Sequence, residues 1–316
     1  MTSLELVPRE ALINSHGVRY SDFRATLLPK YSRLWLELLS GHLALLLLAG
    51  GLVIADRFIS RFWLVTGLTG GVLMGYAVAY LLLFFHEAAH YNLARNRRLN
   101  DWLANLLIGS VVGQNIKNYR PIHFNHHRYL GTPDDPEHSY FNALSIRFLL
   151  ETLTGIRPIK VMLSYREVTV KKQLSSRNQL WPLILGMGLN GMIVICAWLS
   201  GCLALALAWA SSSLIFFPFF SGLRQLLEHR CEKADRETDS SRISHEAVTR
   251  MFQSGLIGST LGGAGFSRHL LHHWDPQVSC TLLAELEAFL SDTQAGECLR
   301  MSKTTYFRTF IRLFKN

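Results

Sequence analysis

The run LWPLILGMGLNGMIVICAWLSGCLALALAWASSSLIFFPFFSGL, from Leu180 to Leu223, contains no charged side chain and no histidine. A helix of about 20 apolar residues crosses a bilayer core, so this run is long enough to cross twice. Gly201-Cys202, near its middle, supplies a turn. Working outward, Leu34 to Ala55 carries only Glu37 and His42, and Phe62 to Phe85 carries neither charge nor histidine. Buried helices of soluble proteins rarely run past about 20 residues without a charge. The expectation is therefore an all-α integral membrane protein with four transmembrane helices, at about 34–55, 62–85, 180–200 and 203–223. Residues 1–316 are read as a single domain, with 86–179 and 224–316 forming a cap outside the bilayer.

Charge placement gives the orientation. The arm up to Arg33 has 5 Lys+Arg, the loop 91–179 has 13 and the tail from Arg224 has 12. The 56–61 loop has 2 and the Gly201 turn has none. With four spans, the rich segments share one side, and basic segments stay cytoplasmic. Both termini and the cap are thus expected in the cytoplasm. The net charge of +9 is an orientation signal, with some attraction to anionic lipid, and no nucleic-acid partner is expected. The first apolar block is too long for the core of a signal peptide. Cys196, Cys202, Cys231, Cys280 and Cys298 are scattered and odd in number, which excludes a disulfide framework or zinc ribbon.

Eight of the 13 histidines fall in three windows: His86-Glu-Ala-Ala-His90, His123-Phe-Asn-His126-His127 and His269-Leu-Leu-His272-His273. Neutral imidazole is the commonest ligand for transition metals. Eight exceed what one ion takes, so the pattern suggests two neighbouring ions, of iron, copper, nickel or zinc rather than magnesium or calcium. Residues four apart on a helix share a face, so His86 and His90 can act together. In HxxHH, adjacent rings diverge by about 100°, so one cluster can serve two metals.

His86-Glu87-Ala88-Ala89-His90 is also literally HExxH, the zinc-protease signature with Glu87 as base. An intramembrane zinc metalloprotease is thus a distant alternative, but it leaves five or more clustered histidines unexplained. A metal transporter would need ionisable groups along the spans, which hold only Glu37 and His42.

Elsewhere, Trp102 to Gly113 is apolar but too short to span, and reads as a re-entrant or interfacial helix. Pro121 reads as a helix start before the second cluster. The turn-rich 131–136 should end that helix. Residues 141–163 read as an amphipathic interfacial helix, 233–242 as a polar connector, and 248–266 as a helix or helix pair beside the site. Apolar residues around Tyr76–Phe85 and Ile215–Phe220 either line a substrate slot or face lipid and neighbouring helices; the second reading is favoured.

The three boxes resemble those of the integral-membrane fatty acid desaturase and hydroxylase superfamily. The flanks agree: His126-His127-Arg128-Tyr129-Leu130-Gly131 before Asp135-Pro136, and His272-His273-Trp274-Asp275-Pro276. The resemblance implies a di-iron centre held by His86, His90, His123, His126, His127, His269, His272 and His273. It further implies a ligand at the end of the last span, where His229 stands. Glu228, Asp135 and Asp275 are candidates to support ligating rings, with Asp134 beside them; turn or capping roles are the equal alternative for the three aspartates. His138 lies near the second box but is not assigned, and His16, His42 and His245 have no cluster partner. The implied activity uses O2 and two electrons to desaturate an acyl chain or related lipid, in lipid and fatty acid metabolism. A hydroxylase or ketolase on the same scaffold is the alternative. No haem-binding His-Pro-Gly-Gly segment or CxxC pair occurs. Electrons are thus expected from a separate protein such as ferredoxin, cytochrome b5 or rubredoxin. The compact form suggests a bacterial inner membrane.

Overall fold

The computed structural model describes residues 4, 7–132, 134–137, 140, 142–157, 159–160, 177–230, 249–253 and 255–315. In chain order these form α1 (Tyr20–Thr26), α2 (Tyr31–Phe58), α3 (Trp63–Ala89), α4 (Arg97–Ala104), α5 (Ile116–Tyr129), α6 (Ile146–Leu153) and α7 (Arg177–Leu199). There follow α8 (Leu203–Ser211), α9 (Phe217–His229), β1 (Met251–Phe252), α10 (Leu256–Thr260), α11 (His269–Trp274), α12 (Leu283–Ser291), α13 (Gly296–Ser302), β2 (Lys303–Thr304) and α14 (Tyr306–Lys315). A π-helical turn, Ser212–Phe216, joins α8 to α9. Four helical stretches are long and apolar enough to cross a membrane: Tyr31–Phe58, Ser60–Ala89, Leu180–Leu199 and Leu203–His229. The fold is all-α and membrane-spanning; among the described residues the only sheet is the parallel pair β1–β2.

The chain divides into two compact units. The first, Trp35–His123 with Ser145–Leu223, contains most of the apolar helices. Its packing uses glycine rather than bulk. A Cβ at Gly67 would lie 3.0 Å from the Ala204 carbonyl, and one at Gly75 would lie 2.5 Å from the Phe216 Cβ. Close backbone approach of this kind replaces the hydrophobic driving force that lipid does not provide. Polar groups are tied down as well. Asp56 accepts from the Ala204 N–H at 2.9 Å, satisfying the start of α8 with a carboxylate. Asn190 accepts from the Trp209 indole at 2.9 Å and donates to the Val111 carbonyl at 2.8 Å. Leu47, Leu185 and Leu199 are about 70% exposed, the face expected toward lipid. Gly201 takes the left-handed conformation (φ 74°) between α7 and α8. Tyr76 packs edge-on against Phe220 at 5.0 Å, so these aromatics meet each other.

Several local expectations change. The span helices outrun their apolar cores, to Ala89 and His229 instead of 85 and 223. The short interfacial helix starts earlier, at Arg97, because the Asn96 side chain caps it, accepting from the Arg98 N–H at 2.9 Å. Pro121 is not a helix start. Asn115 caps α5, its side chain accepting from the Lys117 N–H at 2.9 Å, and Pro121 sits in the second turn at the loss of one backbone bond. Within 141–163, α6 ends at Leu153 and Gly155 (φ 73°) interrupts the helix, which resumes at 156–157 and 159–160 among the described residues. Arg157 there is buried against the Phe148 ring at 4.2 Å rather than lying at an interface.

The second unit is Met1–Leu34, Phe124–Leu144 and Arg224–Asn316. Leu12, Tyr20, Leu270, Leu271, Trp274, Leu286 and Leu290 are among its core residues. The stretch expected as a helix or helix pair resolves into β1, the single turn-and-a-half of α10 and a 3-10 turn at Phe266–Arg268. β1 is recruited by pairing with β2, about fifty residues downstream, which no local pattern announces. The 233–242 connector and His138 lie outside the described residues.

Candidate metal centre

In the first unit the end of α3 presents His86, with His90 as its C-terminal cap, and α5 presents His123. The ring centroids are 4.1 Å apart for His86–His123, 4.9 Å for His90–His123 and 5.2 Å for His86–His90. The Nε2 atoms of His90 and His123 are 2.9 Å apart. Burial, with help from the Arg120 charge, drives the His90 ring down to about 3, so it is neutral and can donate a lone pair.

The helix end that bears these rings is held by Arg120. Its guanidinium donates to the Ala89 carbonyl at 2.8 Å and the Ala88 carbonyl at 3.1 Å. It also pairs with Asp101 at 2.5 Å and lies over the Tyr91 ring at 3.8 Å. The last carbonyls of a helix have no partner within it, so a buried cation there fixes the terminus. Tyr91, at φ 63°, turns the chain sharply after His90. Glu87 is 1% exposed and accepts from Asn92 at 3.0 Å. A protease base would instead have to reach a metal-bound water.

The second unit gathers six more imidazoles. His126 and His127 lie in the last turn of α5, His229 ends α9, and His269, His272 and His273 are on α11. Nε2–Nε2 separations are 2.9 Å for His229–His269, 3.1 Å for His127–His272 and 3.2 Å for His269–His273. His126 stands 4.8 Å from His229 and 5.2 Å from His273, ring to ring. Burial, reinforced by neighbouring rings, holds His269 and His273 well below the ordinary imidazole range.

Around these rings are acceptors and clamps. The His126 Nδ1 lies 2.9 and 3.0 Å from the two Asp135 oxygens. Burial alone would push His126 down, but Asp135 and Glu137 raise it to about 9. Tyr140 donates to Asp135 at 2.6 Å and accepts from the Gly131 N–H at 2.8 Å. Glu228 accepts from the Tyr306 hydroxyl at 3.2 Å and lies 3.5 Å from Arg224. Its carboxylate is also within 4.8 Å of ligand atoms of His229 and His269. Arg250 donates to the Leu227 carbonyl at 3.0 Å and the Glu228 carbonyl at 3.2 Å, capping the helix that ends in His229. Among the described residues Asp275 meets no imidazole. It accepts from Tyr20 at 2.5 Å and Arg24 at 2.9 Å, anchoring the N-terminal arm. Asp134 sits in the turn, its N–H donating to Thr132. Arg120, Tyr140, Arg250 and Tyr306 carry no motif, and sequence reading passed over them.

The donor set fits transition metals. Two nitrogens bound at about 2.1 Å lie about 3 Å apart at a right angle and about 3.4 Å apart at a tetrahedral one. The separations of 2.9–3.2 Å are short enough for both nitrogens of a pair to reach one ion.

The model of the family described as "Fatty acid desaturase" matches residues 61–305, most of the chain and all three boxes. No curated protein matches the chain.

Proposed function

Because the chain belongs to the fatty acid desaturase family, we propose that it is a membrane di-iron oxidoreductase that desaturates an acyl chain or related lipid. Nine of its 13 histidines, His86, His90, His123, His126, His127, His229, His269, His272 and His273, would hold two Fe(II) ions. The observation that carries this reading is the close spacing, 2.9–3.2 Å, of Nε2 atoms within each histidine set. When bound, the iron pair supplies the redox chemistry that lets O2 be reduced while a methylene C–H bond is broken.

The chain's own residues supply position and protonation. Asp135 accepts the Nδ1–H of His126, so that Nε2 is the atom at which a metal would replace a proton. Burial keeps His90, His269 and His273 neutral. Arg120 and Arg250 fix the helix ends that carry His90 and His229.

Desaturation consumes one O2, two electrons and two protons, takes two hydrogens from adjacent carbons, and releases two waters. Hydroxylation with the same inputs puts one oxygen into the C–H bond and releases one water. The electrons come from a separate carrier such as ferredoxin, cytochrome b5 or rubredoxin. The Lys+Arg distribution supports cytoplasmic termini and cap, and we assign the protein to a bacterial inner membrane.

The test is metal analysis of purified protein with lipid mass profiles from cells with and without the gene. Two irons per chain and a product lighter by two hydrogens are expected. A product heavier by one oxygen would make it a hydroxylase, and a single zinc would sink the reading.

A further inference from the structure

The helix α14 shows two exposed stripes besides the face it buries. Tyr306, Thr309 and Leu313 are buried, and their spacing of three and four puts them on one inward face. Tyr306 stacks on Phe252 at 3.8 Å and donates to Glu228 at 3.2 Å. Phe307, Ile311 and Phe314, spaced by four and three, form an exposed apolar stripe, with Phe307 72% exposed. Arg308 and Arg312 are exposed too. Successive residues turn by about 100°, so this basic pair lies alongside the apolar stripe.

No acid within the helix offsets these cations. Residues 303–316 hold Lys303, Arg308, Arg312 and Lys315 and neither Asp nor Glu. Of the carboxylates that border the element, Glu287 pairs with Lys303 at 2.8 Å and Arg268 at 2.7 Å. Glu228 is buried against Arg224. Both are therefore matched by other cations.

Size and place select what covers this face. A helix of 10 residues is about 15 Å long, and three apolar side chains on it offer far less than the roughly 800 Å² per partner of a stable protein interface. A bilayer surface needs no matching shape. It takes aromatic and aliphatic side chains into the headgroup boundary, while anionic headgroups attract the arginines beside them. The bilayer is also close. Glu228, which holds Tyr306, belongs to the run Leu203–His229 that is long and apolar enough to span. It stands five residues past Leu223, where the uncharged stretch ends, or about 8 Å along the helix.

We propose that α14 is an interfacial anchor lying on the anionic surface of the bilayer, with Phe307, Ile311 and Phe314 among the lipids and Arg308 and Arg312 on their headgroups. So held, α14 keeps Tyr306 against Glu228, the residue before His229. Lipid contact at this face needs no metal, so its test is separate from that of the di-iron reading.

The test places the full chain in proteoliposomes of phosphatidylcholine, with or without phosphatidylglycerol. Phe307→p-benzoylphenylalanine is illuminated, and lipid captured on the protein is read by intact mass. Capture should exceed that of Glu297→p-benzoylphenylalanine, an exposed site on α13, by about fivefold or more. It should rise about threefold or more when phosphatidylglycerol is present. Adding Arg308→Glu should remove that rise. Arg19→Glu, the same charge change on the exposed N-terminal arm, should leave it.

Equal capture at 307 and 297, equal capture in the two lipids, equal effects of Arg308→Glu and Arg19→Glu, or crosslinked dimers in place of lipid adducts would each overturn the assignment. If the probe variants do not fold, hydrogen exchange of the wild type decides. Amides of 306–315 should then exchange about threefold or more slowly with phosphatidylglycerol than without it, and equal rates would reject the anchor.

Discussion

Replacing Asp135 by Asn should strip metal from the protein without unfolding it. The side chain is 1% exposed and accepts three hydrogen bonds: from His126, from Tyr140 at 2.6 Å and from the Glu137 N–H at 2.8 Å. Asn has the same size, so no cavity forms. It can keep its carbonyl toward the Glu137 N–H only by turning its NH2 toward His126 and Tyr140. The amide then donates to Nδ1, the ring proton moves to Nε2, and the ligand atom loses its lone pair. Losing an acceptor behind a ligating imidazole costs about 10–100-fold in metal affinity, or about 1.4–2.8 kcal/mol. The assay is iron retained per chain after dialysis against graded chelator, with circular dichroism melting on the same samples. The variant should release iron at roughly one to two decades lower chelator strength while the melting of metal-free protein shifts far less. An unchanged retention curve would refute the tautomer argument.

Arg120→Gln removes a buried cation that serves two carbonyls and Asp101, and should cost about 3 kcal/mol or more of stability by thermal unfolding; a shift under a third of that would mean the helix end holds itself. His229→Ala should lower bound iron as far as a box mutant does, since its Nε2 lies 2.9 Å from that of His269; full iron and activity would reduce the ligand set to eight. Gly75→Ala drives a methyl to within 2.8 Å of the Phe217 backbone nitrogen and should destabilise by about 1–3 kcal/mol, whereas Gly188→Ala meets nothing within 4 Å and should be neutral or stabilising. Burial pushes the Glu287 carboxyl up, but Lys303 and Arg268 outweigh it and hold the group below its ordinary range. Its folded value is depressed, so its contribution is complete above about 4.3 and is lost as pH falls through the lower folded value. Glu287→Gln should flatten that part of the melting-versus-pH curve, and an unchanged slope would show the pairs contribute nothing.

The spans and the histidine boxes are properties of the sequence because each rests on short-range physics. An uncharged run such as Leu180–Leu223 has only one low-energy surrounding, and HxxxH and HxxHH need only helical geometry to converge. Where helices end is different. α3 runs on to Ala89 and α9 to His229, past the apolar edge, because Arg120 and Arg250 satisfy carbonyls that hydropathy does not see. The supporting groups were half legible. Asp135 lies nine residues from His126, within reach of one turn, so sequence proximity found it. Asp275 is closer still to its box, two residues after His273, yet it turns to Tyr20 and Arg24 some 250 residues away. Tyr140, Tyr306 and Arg250 act the same way in reverse, as unmarked residues brought to the site by packing. Ligands are chosen by lone pairs that only a few side chains offer, so sequence names them. Buried hydrogen-bond partners are chosen by whichever donor the fold brings within 3 Å, and only the tertiary structure decides that.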